Sequence, residues 1–198
     1  DEHNIAVFDW KKGSAEDLSS IKNPHLRVKQ NQAQCKGPVY GTAKGGRANI
    51  LGICFNGDST RVACCAVKEV NIFNVQQGKM KKTKCTGLRG AELTSIMCCG
   101  YLKNTLVCGS INGKVLLCQG AKFTKTLKGH TSSVNCLYMK EKDSGFITGG
   151  GDGIIIFWNS KFAQVSKVSI KTNEIKSLNP KIRSVCENKN GNLLVGTR

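Results

Sequence analysis

Histidines, carboxylates and aromatics are scarce in this chain of 198 residues, and each scarcity weakens a class of function. Three histidines are scattered along the sequence and the 11 cysteines include no Cys-x-x-Cys pair, so a zinc site has little to be built from. Aromatic residues make up 6%, which leaves few stacking platforms for single-stranded nucleic acid. No apolar run approaches the roughly 18–20 residues of a membrane span, so no membrane partner is expected. Residues 1–10 also lack the basic start and longer apolar stretch of a signal peptide. An odd number of cysteines speaks against a disulfide framework. Most of them (Cys54, Cys64, Cys65, Cys98, Cys99, Cys108, Cys118, Cys136 and Cys186) fall in predicted strands, where a free thiol acts as a small buried hydrophobe. That usage predicts a reducing compartment, the cytosol or cytoskeleton.

Strand-forming residues are plentiful, and they recur. Three segments, 60–74, 105–119 and 145–159, each read as a short strand, a turn and a second short strand. A further strand precedes each, over 50–55, 93–99 and 134–139. Turn residues such as Asn56-Gly57-Asp58, Asn112-Gly113 and Gly151-Asp152-Gly153 punctuate them. Phe73, Cys118 and Trp158 mark equivalent places 45 and 40 residues apart. The richest segment is 129–159, which joins Gly129-His130, the Gly151-Asp152-Gly153 turn and a strand ending in Trp158-Asn159.

This spacing resembles the WD-repeat family, and the predicted fold class is an all-β, partial WD-repeat β-propeller with blades of about 40–45 residues. The resemblance implies a buried network in which His130, Asp152, Thr148 and Trp158 hydrogen-bond one another. His, Asp and a hydroxyl would also suit a hydrolytic triad, but nothing like a nucleophile elbow accompanies them. Nor is Gly149 to Gly153 a phosphate cradle, because it joins two strands and opens no helix. No enzyme activity, cofactor or metal is expected.

The sequence divides into the end of a blade (1–10), an outer strand near Leu18 to Ile21 with a long glycine-bearing loop (11–48), three blades (49–92, 93–129 and 130–181) and the first half of another (182–198). Such a chain begins and stops inside blades, so the expectation is a portion of a longer protein, or one whose missing strands come from elsewhere.

Positive charge dominates: 30 Lys and Arg oppose 13 Asp and Glu, giving +17 and a pI near 9.6. Lysines cluster after each third strand, at Lys79, Lys81, Lys82 and Lys84, at Lys122, Lys125 and Lys128, and at Lys167 and Lys171. In propeller connectivity these positions form the outermost strand, so a cationic rim suited to an acidic partner is predicted. Lysine on an edge strand also discourages aggregation, which explains single residues better than the whole set.

Residues 1–13, 68–74, 109–115 and, most specifically, 182–187 with 193–198 resemble the echinoderm microtubule-associated protein-like family. That resemblance implies a non-catalytic scaffold that binds tubulin and microtubules, with other cytoskeletal proteins as further partners. Two alternatives stay open: an RNA- or DNA-associated propeller, and an adaptor that takes a peptide.

Overall fold

The computed structural model describes residues 3–8, 39–88, 94–141, 144–171 and 180–197. Short apolar runs separated by tight turns can satisfy their backbone groups by pairing with the preceding run, and antiparallel meanders result. β1 (His3–Phe8) pairs antiparallel with β2 (Val39–Gly46). β3 (Ile50–Phe55), β4 (Arg61–Ala66) and β5 (Glu69–Asn74) follow, and β6 (Gly78–Lys79) leads to β7 (Lys81–Lys84). The next sheet comprises β8 (Ile96–Leu102), β9 (Thr105–Ser110), β10 (Lys114–Gln119) and β11 (Lys122–Lys128). Then come β12 (Val134–Met139), β13 (Gly145–Gly150), β14 (Ile154–Asn159) and β15 (Gln164–Ser169), followed by the pair β16 (Ile182–Glu187) and β17 (Leu193–Thr197).

Among the described residues three sheets are four-stranded, ordered β3-β4-β5-β7, β8-β9-β10-β11 and β12-β13-β14-β15. Burial follows position in the sheet: β13 is buried along its length, whereas β7 and β15 are exposed along theirs. The cores lie between successive sheets. Ala63, Cys65, Val70 and Ile72 meet Leu106, Cys108 and Leu116, and beyond them Val107, Val115 and Leu117 meet Phe146, Ile156 and Trp158. Each such large side chain removed from water contributes roughly 1.5–3 kcal/mol. Glycine sets the fit between sheets. A Cβ at Gly109 would come within 2.7 Å of Val134 Cγ1, and one at Gly149 within 2.5 Å of Ile182 Cγ2, so each glycine leaves a seat for the first residue of the next sheet.

Three expectations need correction. Residues 39–46 form β2, not part of a loop, because their glycines mark close approaches: a Cβ at Gly41 would lie 2.4 Å from the Gln76 carbonyl oxygen. Lys79 lies in β6, which pairs parallel with β2 rather than extending the outer strand β7. The inner strand expected over 93–99 runs from Ile96 to Leu102, since both ends are buried and Leu102 pairs with Thr105 across the hairpin. The outer strand expected near Leu18 to Ile21 lies outside the described residues.

Candidate functional site

The structure brings His130, Thr148, Asp152 and Trp158 together in one hydrogen-bonded chain. Thr148 and Trp158 sit on the neighbouring strands β13 and β14, His130 on the loop before β12, and Asp152 in the turn between β13 and β14. The Trp158 Nε1–H donates to Thr148 Oγ1 at 3.0 Å, and Thr148 Oγ1 lies 2.9 Å from His130 Nε2. His130 Nδ1 lies 3.0 Å from Asp152 Oδ1. The indole has only a donor to give, so the hydroxyl accepts from it and donates its own proton to Nε2, which puts the imidazole proton on Nδ1 facing the carboxylate. Asp152 also accepts from the backbone N–H of Thr131 at 2.9 Å and of Ile154 at 3.1 Å.

Burial pushes the His130 pKa below its ordinary value, outweighing the pull of Asp152 toward the charged form. Burial works the other way on Asp152, but the hydrogen bonds from Thr131, His130 and Ile154 outweigh it and hold the carboxyl below the usual range. Each member of the chain has a partner. With Thr148 wholly buried and its hydroxyl engaged on both sides, no nucleophile is offered to a substrate. The arrangement fastens a turn to two strands: a Phe146 ring stacked on Trp158 at 5.6 Å closes one side, and the His130 N–H donates to the Gly113 carbonyl of the preceding sheet at 3.0 Å.

The other two four-stranded sheets fill the equivalent places with different chemistry. Counting along the strands, Cys108 and Cys118 stand where Thr148 and Trp158 stand, and Cys64 and Phe73 stand there in the sheet containing β4 and β5. All four are fully buried. Burial raises Cys64 to about 11, so it remains a neutral thiol at neutral pH. Among the described residues no group of three or more His, Cys, Asp or Glu side chains is arranged to hold a metal ion.

The lysines separate into two groups. Lys82 Nζ donates to the Gly45 carbonyl at 3.0 Å and lies 3.5 Å from Glu69, with Lys84 3.9 Å from the same carboxylate. Burial opposes ionisation of Glu69, but Asn71 and the two ammonium groups outweigh it and lower its pKa. These two lysines therefore help fasten β7 to β5 and β2. Lys81, Lys122, Lys125 and Lys128 are exposed on the outermost strands, and no described carboxylate pairs with them. A parallel bridge between Thr86 and Lys122 carries the rim from one sheet to the next, with the Phe123 N–H donating to the Thr86 carbonyl at 2.9 Å. Lys79, also exposed, belongs to the neighbouring sheet. The sequence reading missed Glu69 as the counter-ion. It also missed the ion pair of Lys140 with Glu187 at 3.1 Å, which clips β12–β15 to β16–β17. Both partners in each case are ordinary charged residues whose meeting depends on the fold.

Comparison with known proteins gives matches of three kinds. The family described as "WD domain, G-beta repeat" matches residues 121–159, which include the whole hydrogen-bonded chain. A THO complex subunit 6 homolog from Danio rerio is 30% identical over 77 residues, 38% of this chain and 24% of that protein. The crystal structure of the computationally designed Ika8 protein aligns with TM-score 0.61 at 14% identity over 82% of this chain and 50% of its own. A chain of the mitotic checkpoint complex aligns with TM-score 0.59 at 14% identity over 78% and 47%. The chain thus spans about half the length of those solved structures, and its match to the curated relative covers about a quarter of that protein. Stacked four-stranded antiparallel sheets and propeller-like neighbours together make this fold an all-β, partial β-propeller, and residues 121–159 match a WD repeat within it.

Proposed function

We propose that this chain is a non-catalytic scaffold that takes an acidic protein partner on the outer strands of its blades, with tubulin as that partner. The observation that carries the reading is the placement of Lys81, Lys122, Lys125 and Lys128: exposed, on adjoining outer strands, with no described carboxylate to neutralise them. Tubulin surfaces and tails are rich in glutamate, and a cationic rim accelerates encounter with such a surface in a way that salt screens. The resemblance of 182–187 and 193–198 to the echinoderm microtubule-associated protein-like family favours tubulin, and a place on cytoplasmic microtubules follows from it.

Sedimentation with polymerised microtubules tests this. Binding is expected at low salt, with a marked fall at high salt and on replacing the four lysines by glutamate. Binding that survives both treatments, and also removal of the acidic tubulin tails, would defeat the electrostatic mechanism.

The likeness to a THO complex subunit favours a second reading, in which the same lysines face nucleic acid within a larger assembly. A gel-shift titration decides between them: tighter binding to RNA than to microtubules would replace the first reading with the second.

A further inference from the structure

Two pairs of thiols bridge the sheet containing β3 and β4 and the sheet containing β8 and β9. Cys54 Sγ lies 3.5 Å from Cys99 Sγ, and Cys65 Sγ lies 3.8 Å from Cys108 Sγ. Cys99 and Cys108 are direct cross-strand partners, so the pairs lie side by side. Glycine makes the approach of the inner strands close: a Cβ at Gly52, two residues before Cys54, would sit 3.2 Å from Cys98 Cα. The pairs differ in reach. Cys65 and Cys108 are fully buried, whereas Cys54 and Cys99 are half-buried. All four thiols are free.

We propose that Cys54 and Cys99 form a modification site for hydroperoxides, closing to a reversible disulfide that staples the two inner strands. The Cys99 thiolate attacks one peroxide oxygen, the O–O bond breaks, and the departing hydroxide takes a proton to become water, leaving Cys99 as the sulfenic acid. Cys54 Sγ then attacks the Cys99 sulfur. The S–O bond breaks, the leaving hydroxide takes the Cys54 proton, and a second water departs. Two thiols and one hydrogen peroxide become one disulfide and two waters, with two electrons passing from sulfur to oxygen. A sulfenic acid beside a second thiol condenses in this manner, and a thiol reductant restores both groups. The sulfurs need to close by about 1.5 Å to reach the bond length of about 2.05 Å. Thiols of Cys54 and Cys65 directed at Cys99 favour the thiolate there over the opposing effect of burial, which supports Cys99 as the attacking sulfur and Cys54 as the resolving one.

The test is peroxide treatment of the whole chain, alkylation of remaining thiols and peptide mapping without reduction. A peptide linking Cys54 to Cys99, lost on adding dithiothreitol, is the expected product, and exposed Cys186 reports general oxidation in the same sample. Cys54→Ser is expected to leave Cys99 as a sulfenic acid, trapped by dimedone. The wild-type map decides without that variant should it fold poorly. Cys54 and Cys99 both alkylated after Cys186 has oxidised, or a link from either to another cysteine, would overturn the proposal.

Discussion

The sheet of β12–β15 and the sheet of β8–β11 share strand order, and both bury most of their two middle strands, yet they fill those strands in opposite ways. In the first, Thr148 and Trp158 belong to a polar chain that ends on a carboxylate; in the second, Cys108 and Cys118 take the same two places and offer only soft, weakly hydrogen-bonding sulfur. A buried polar chain is worth its desolvation cost only when each donor and acceptor is used, and in β12–β15 each one is. Thiols ask for less. They tolerate packing without a partner and, where two sheets meet, they find one another.

The largest effect that separates the two solutions is expected at their third strands. Trp158→Ala removes the ring that stacks on Phe146 and frees the Thr148 hydroxyl, so a loss of about 3–5 kcal/mol in urea unfolding is predicted. Cys118→Ala removes one sulfur and is expected to cost well below that. Equal losses would mean that the polar chain contributes no more than a packed thiol.

At the second strand the contrast concerns polarity alone. Thr148→Val keeps the shape but leaves the indole N–H without an acceptor and His130 Nε2 without a donor, for a predicted loss of about 2–3 kcal/mol. Cys108→Val, at the same strand position, exchanges one small apolar group for another and is expected to cost less than about 1.5 kcal/mol. Denaturant midpoints of the two variants test the difference directly.

Acid adds a third separation. His130 has a folded pKa below its ordinary 6.5, so the unfolded chain binds its proton first and stability falls as pH drops below about 6.5. Asp152, held below its ordinary 3.8 in the folded state, contributes stability that is present above that value and lost as pH falls toward the folded one. The polar chain therefore weakens from mildly acidic pH downward, while Cys118, whose thiol Cys108 and burial push up to about 12, stays neutral there. Unfolding measured across this range should show a slope between neutral and mildly acidic pH that His130→Asn reduces; an unchanged slope would remove His130 as its source.

How much of this was legible follows from which forces are local. Apolar runs and turn residues are local, and they located the three full sheets and the outer position of Lys122 to Lys128. The offsets from His130 to Trp158 are also short, and the resemblance to the WD-repeat family that they carry is what implied all four residues of the polar chain. Contacts between sheets leave no such trace. Nothing in the neighbourhood of Cys54 points to Cys99, because their meeting depends on strand register and on the missing side chain at Gly52. β2 was misread for a related reason: glycine served there for close approach rather than for turning.

The smallest expected effect concerns the lysines, where sequence made no distinction and geometry does. Lys82 is tied to Glu69 and the Gly45 carbonyl, whereas Lys125 has no described carboxylate partner. Lys82→Gln should therefore lower stability by less than about 1 kcal/mol, because the pair is partly solvated, while changing affinity for an acidic partner little. Lys125→Gln should do the reverse, leaving unfolding unchanged and weakening salt-sensitive binding a few-fold. Paired unfolding and co-sedimentation curves for the two variants read both quantities. Identical behaviour would show that the rim acts through its net charge alone, so the division between fastening and binding lysines would have no functional meaning.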